Sequence, residues 1–349
     1  MNPIAALGVA AALLATAAVV VLVRPVLAAR MTGPAAASAL ATAVVTIAVG
    51  WSLHLASPEF LLGISVFTLP VLLLLEAAAI ASGADRFARW LLMLAWGVIV
   101  FPVSALVPLA LTAGCLAPDC GFEDFGAGLP LLVSSGAFVL LAWLPAGVRE
   151  RAELDRLSIR RALIAGLALW VAAAAWLVHL EGAFDEFTGR ILVAALVGPL
   201  GGAVGWLLAD ILRNTRRSTV RSLLAGLVAG MVATLPGAVS VDLPWSVIVG
   251  VIAGGLASLI YSARGADAGL ASRWGATILV AAAVGFLAPP VSGDTVGMIF
   301  TARAAVLTTP VLMFFAVAGF AVAVSAPVWV LVRRHAARDR IPAQILADE

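Results

Sequence analysis

"FEDFGAGLPLLVSSGAF", residues 122–138, sets two acids and a Gly-Ala-Gly step ahead of a long apolar run. This is the pattern of a helix entry. A carboxylate at Asp124 can accept the free N–H groups of a first turn, and Gly126 and Gly128 let the chain bend tightly before it. No charge follows until Arg149, so the helix that starts here suits a bilayer interior.

The rest of the chain is of the same kind. Hydrophobic residues make up 63% and charged residues 11%, with a mean hydropathy of +1.12. A soluble domain carries about 25% charged residues. The 349 residues leave room for roughly ten spans of about 20 residues each. The composition thus describes an integral membrane protein whose first partner is the lipid bilayer. There is no basic patch interleaved with aromatics, no Gly-rich phosphate loop and no Cys/His cluster. Those absences leave no sequence support for nucleic-acid binding, nucleotide hydrolysis, a metal site, a cofactor or an enzyme.

Apolar runs broken by charge and Gly/Pro predict eleven spans. They lie near 4–29, 35–56, 60–82, 88–113, 125–147, 160–180, 188–212, 219–240, 244–262, 270–289 and 303–332. The basic residues, all arginine, test the count. With the N-terminus outside, nineteen of the 21 fall on one side, leaving only Arg190 and Arg303 on the other. Glu59, Asp119, Glu123, Asp124, Glu181, Asp185, Glu186, Asp242 and Asp294 gather opposite them. Cytoplasmic loops carry the excess of basic residues, so this alternation predicts eleven spans, N-terminus out and C-terminus in, in a bacterial plasma membrane. The first span has no basic residue before it and arginine after it, the reverse of a cleaved signal peptide, so it is expected to stay as a helix. The chain as a whole is expected to form one membrane domain, residues 1–335, with a short cytoplasmic tail, 336–349.

Local strings along residues 15 to 330 resemble the ammonium transporter (Amt/Mep/Rh) family. "ADRF", Ala84 to Phe87, is similar to the family's "AER" plus an aromatic between helices 3 and 4. "DFGAG", Asp124 to Gly128, resembles the helix-5 start "DFAGG". "GLVAGMVATLPGAVS", Gly226 to Ser240, and "WSVIVGVIAGGL", Trp245 to Leu256, look like the family's helices 8 and 9. The resemblance implies an all-α polytopic fold of eleven transmembrane helices. Two five-helix repeats, about 1–150 and 158–290, would be inverted about an axis in the membrane plane, with an added C-terminal helix at about 303–332. It also implies a homotrimer with a pore for a small solute through each subunit.

The same resemblance points to pore and gate residues. In "FTLPV", Phe67 matches the first aromatic of the family's "FQxxF" and Val71 stands for the second. The helix-4 tryptophan of the external cation site falls at Pro108, and the helix-6 gating phenylalanine at Trp176, within one position. The twin histidines fall at Leu132, counted from Asp124, and at Thr277, aligned on "RWGATILV". Neither is a histidine. An ammonium ion stripped of water among leucines costs many kcal/mol, and removing its proton needs an acceptor. The family's usual relay is therefore not expected here.

Other polar residues carry two readings each. Glu76 is the acid deepest in a span; intramembrane acids are functional by default, yet helical phase turns it away from the expected pore face Phe67, Val71, Leu74, Ala78. A buried packing partner is its other reading. His179 and Glu181 end the sixth span near the expected cation site, where they either recruit a cation or form a solvated helix end. His54 reads as interfacial, Asp124 as a structural helix cap, and Asp210 as a local salt bridge to Arg213, Arg216 and Arg217. Glycines 198, 201, 202, 205, 226 and 230 read as helix-packing positions. Cys115 and Cys120 share a loop with C-x4-C spacing, which permits a small disulfide or two free thiols. The leading expectation is a divergent channel or transporter for ammonia, ammonium or another small neutral molecule, without the histidine relay. Its rivals are a non-conducting scaffold or sensor with a closed apolar pore, and an unrelated eleven-helix transporter.

Overall fold

Each apolar run bounded by charge or Gly/Pro becomes a helix. The computed structural model describes residues 3–27, 33–82, 84–112, 122–142, 159–215, 219–264, 270–294 and 297–338. Within them run α1 (Pro3–Leu27), α2 (Gly33–Ser52), α3 (Pro58–Ala81), α4 (Arg86–Leu111), α5 (Leu129–Val139) and α6 (Ile159–Glu181). They are followed by α7 (Glu186–Leu212), α8 (Thr219–Thr234), α9 (Leu243–Ala263), α10 (Leu270–Ser292) and α11 (Thr308–Arg338). Nine of these are long and apolar enough to cross a bilayer, while α5 and α8 are shorter apolar helices. The protein is an all-α polytopic membrane protein. Cys115 and Cys120 lie outside the described residues.

Caps fix several starts. Ser57 accepts from the Phe60 N–H, and Asp85 from the Ala88 N–H at 2.7 Å. Asp185 and Thr188 form a reciprocal capping box at the head of α7. Two helices carry a wider π turn, Ala95–Val100 in α4 and Leu129–Val133 in α5, and Trp96 Nε1 donates to Ser134 Oγ between them at 3.1 Å.

The fifth and eighth spans are shorter than expected, and the two shortfalls share one cause. α5 begins only at Leu129, because Ala127 adopts a left-handed backbone (φ 53°), and α8 stops at Thr234, ahead of Pro236 and Gly237. The two non-helical stretches lie together. The Phe125 N–H donates to the Pro236 carbonyl at 3.1 Å and the Gly126 N–H to that of Leu235 at 3.0 Å. Backbone polar groups without water need such partners. A Cβ at Gly126 would stand 2.7 Å from the Leu235 carbonyl oxygen, so this junction requires glycine.

Helices α7, α8 and α9 meet along a glycine seam. Gly202 packs against Gly226 and Gly230, and Gly250 and Gly254 against the carbonyls of Gly198 and Gly202, with no room for a side chain. At the arginine-rich end Asp210 turns inward instead of forming only a local salt bridge. It accepts hydrogen bonds from Trp206 Nε1 (3.1 Å), Ser222 Oγ (2.6 Å) and Ser258 Oγ (2.7 Å), which join all three helices. On the other side of the bundle, α11 packs on α4, α5 and α10, and Trp329 Nε1 holds the Phe138 carbonyl of α5 at 2.9 Å.

Candidate functional site

Two gate candidates from distant parts of the sequence meet. The rings of Phe67, at a break in α3, and Trp176, on α6, lie 4.1 Å apart at 35°. Trp176 is 2% exposed, and its Nε1 reaches the Gly126 carbonyl at 3.4 Å. The ring pair is thereby tied to the α5–α8 junction. Val71, one turn along α3, is half-buried and packs on the core. Leu74, expected on the same face, is instead exposed on the bundle surface.

Beyond the ring pair, α5 and α10 run antiparallel in close contact. Gly128 packs on Phe286, Gly136 on Gly275, Ile278 and Leu279, and the Leu140 carbonyl accepts from Ser272 Oγ. Leu132 lies one turn from Gly136 on the same face of α5, so this register sets it opposite Ala282. Thr277 falls elsewhere. At 100° per residue it lies about 200° around α10 from Gly275, which faces α5. Its hydroxyl is buried against its own helix, donating to the Arg273 carbonyl at 2.8 Å. Leu132 and Thr277 therefore do not face each other as a pair, contrary to the expectation from "RWGATILV". The hydroxyls of Ser134 and Ser135 likewise turn back to their own helix, toward the Pro130 and Leu131 carbonyls. The stretch between the ring pair and the Gly136–Gly275 contact is apolar.

The other polar candidates are taken up by packing. Glu76 is fully buried and pairs with Arg89 of α4 at 3.3 Å, with its second carboxylate oxygen and Arg89 Nε left unbonded. His179 is not a solvated helix end. Its ring fills the space over Gly8 of α1 and Gly63 of α3, Nδ1 lies 2.9 Å from the Ile4 carbonyl, and one face meets Trp176. Glu181 closes α6, half-buried, and His54 lies exposed in the turn after α2 with a left-handed backbone.

Asp124 caps α5. Its two oxygens accept from the Gly128 N–H (2.5 Å) and the Leu129 N–H (3.0 Å). Burial pushes its pKa up to about 6, even though these hydrogen bonds favour the charged form. The charged cluster beside it has no counterpart among the functional residues expected from the sequence. Arg190 of α7 binds Asp242 and Asp294, each at 2.6 Å, and the Ser240 carbonyl at 3.1 Å. Glu123 lies within reach of Ser240, Asp294, Arg190 and Asp124, and burial pushes its pKa up to about 7. The signal for this cluster was present. Arg190 is one of only two arginines at the acid-rich end, and a lone cation among acids has work to do. A surface cavity borders it, lined by Gly189, Arg190, Val193, Val241, Asp242 and Leu243. Among the described residues no group of three or more His, Cys, Asp or Glu side chains could hold a metal ion.

No family model matches the sequence. No curated protein matches it either. Solved structures do resemble its fold. Mep2 from Candida albicans superposes with a TM-score of 0.69 at 18% identity, covering 98% of this chain and 85% of that one. Mep2 from Saccharomyces cerevisiae gives 0.66 at 15% identity, covering 93% and 85%. A structure described as a sensor Amt protein gives 0.72 at 13% identity, covering 95% and 93%. Nearly the whole length of this chain thus has the Amt/Mep fold.

Proposed function

We propose that this protein is an Amt-type membrane channel or transporter for a small neutral solute, working without a histidine relay. The observation that carries the reading is the Phe67–Trp176 ring pair at 4.1 Å, set over an apolar stretch between α5 and α10. Such a pair can swing aside for a small molecule, while the leucine and alanines beyond it offer no acceptor for a proton. The reading includes two inverted five-helix halves, a homotrimer in the bilayer, and the acid-rich end facing outward.

A second reading is favoured by one contact. Gly136 and Gly275 bring α5 and α10 together backbone to backbone just beyond Leu132. A lumen between those helices would be shut there, as in a scaffold or sensor that keeps the fold with a closed pore.

Reconstituted protein separates the two. Solid-supported-membrane recordings with ammonium are expected to show no saturable electrogenic current. Stopped-flow assays with a lumenal pH dye are expected to show ammonia entry faster than in empty liposomes. A robust ammonium current would overturn the relay-free account. Ammonia entry no faster than in empty liposomes would favour the closed pore.

A further inference from the structure

We propose that Glu123 is a proton-operated latch that grips the two broken helix entries, residues 122–128 and 235–241, when protonated and loosens them when ionised. Glu123 stands two residues before Phe125, whose N–H bonds the Pro236 carbonyl. Three buried polar atoms around it lack a well-formed hydrogen bond: Glu123 Oε1, Ser240 Oγ and Arg190 Nε. Ser240 is only 8% exposed and belongs to the opposite entry, so a bond between Glu123 and Ser240 would clasp one entry to the other.

The charges facing Glu123 come from every neighbouring segment: Asp124 from its own, Arg190 from α7 and Asp294 from beyond α10. Asp242, ahead of α9, shares Arg190. The cation is already committed, with its terminal nitrogens on Asp242, Asp294 and the Ser240 carbonyl. A third carboxylate therefore gains little from it and meets two like charges. The Ser240 hydroxyl can bond either form and by itself favours the ionised one, but burial outweighs it; in the neutral form the desolvation cost and the repulsion both vanish. In the ionised form a poorly solvated carboxylate gains by moving toward water, which pulls the entries apart.

The sign follows from burial, which raises the carboxyl from its ordinary value of 4.5 to about 7. A raised carboxyl pKa means that the closed latch binds its proton more tightly than the open one. Closure is fully favoured below the ordinary value and weakens as pH rises to about 7. The latch does not depend on whether the pore conducts. Its effect on the pore rests on the reading of Phe67 and Trp176 as a gate, since Trp176 Nε1 bonds Gly126 within the clasped segment.

Hydrogen–deuterium exchange on the full-length protein in nanodiscs tests it, with rates corrected for the intrinsic pH dependence of exchange. From pH 6 to pH 8, amides of 122–128 and 235–241 in the wild type should lose protection by about tenfold, the change expected over the one pH unit between pH 6 and the titration point, with little further loss above it. Glu123→Gln should hold the pH 6 protection at both values. The pH 6 minus pH 8 infrared difference should show a protonated carboxylic-acid band that Glu123→Gln removes, while that of Asp124 persists. No pH response in the wild type, an equal response in Glu123→Gln, or an infrared band unchanged by it would overturn the latch. A working latch in a protein that passes no solute would leave the latch standing and sink the channel reading. Conduction with no latch response would do the reverse.

Discussion

Gly136 of α5 and Gly275 of α10 lie against each other's carbonyl oxygens. A Cβ on Gly136 would stand 3.0 Å from the Gly275 oxygen, and a Cβ on Gly275 would stand 2.8 Å from that of Gly136. The second position is the tighter, since its Cβ would also meet Val139 Cγ2 at 2.6 Å. Backbone cannot yield as a flexible side chain can, so Gly275→Ala should cost about 1–3 kcal/mol through overpacking. Gly136→Ala should cost less. Unfolding in detergent, followed by circular dichroism, checks the order; a Gly275→Ala protein as stable as the wild type would mean that the helices are not in contact.

This crossing also shows where sequence reading stopped. Helix number and position were legible because every crossing must be a long apolar run, and charge marks its ends. The shortened ends of α5 and α8 were less so. The glycines and Pro236 announce a break, but only the fold shows that Gly126 bonds Leu235. The Phe67–Trp176 pair was legible as two separate positions, through resemblance. Thr277 was misplaced because a short string such as "RWGATILV" can slide along an apolar helix without violating its pattern, and a slip of one or two residues changes the face. Partners of buried polar groups were hidden for a simpler reason. Nothing local to Asp210 names Ser222 or Ser258, which lie twelve and 48 residues away.

The buried pair of Glu76 and Arg89 yields a second prediction. Removing one partner leaves an uncompensated charge among apolar helices, so Glu76→Ala should destabilise the protein by about 3–5 kcal/mol. Replacing both, as Glu76→Leu with Arg89→Leu, should recover most of that loss, since a well-packed apolar pair avoids desolvating two charges. Thermal unfolding of Glu76→Leu, Arg89→Leu and the double variant, beside the wild type, forms a complete cycle. If the double variant loses as much as the two single changes added together, the residues do not act as a pair.

The register of α5 on α10 gives the last prediction, and it bears on where a relay could ever be built. Leu132 faces Ala282, while Thr277 lies five residues farther along α10, about 7 Å at the helical rise, and on the other side of the helix. In a background with Cys115→Ser and Cys120→Ser, Leu132→Cys with Ala282→Cys should join through a short thiol cross-linker in native membranes. Leu132→Cys with Thr277→Cys should not, because the thiols would be separated along the axis and by the body of α10. Intact-mass analysis distinguishes the linked from the unlinked protein. The same register says that histidines placed at Leu132 and Ala282 would come within reach of each other, whereas histidines at Leu132 and Thr277 would not. Efficient linkage of the Thr277 pair, with none at Ala282, would mean that α10 is shifted and rotated against α5 and would return Thr277 to the pathway.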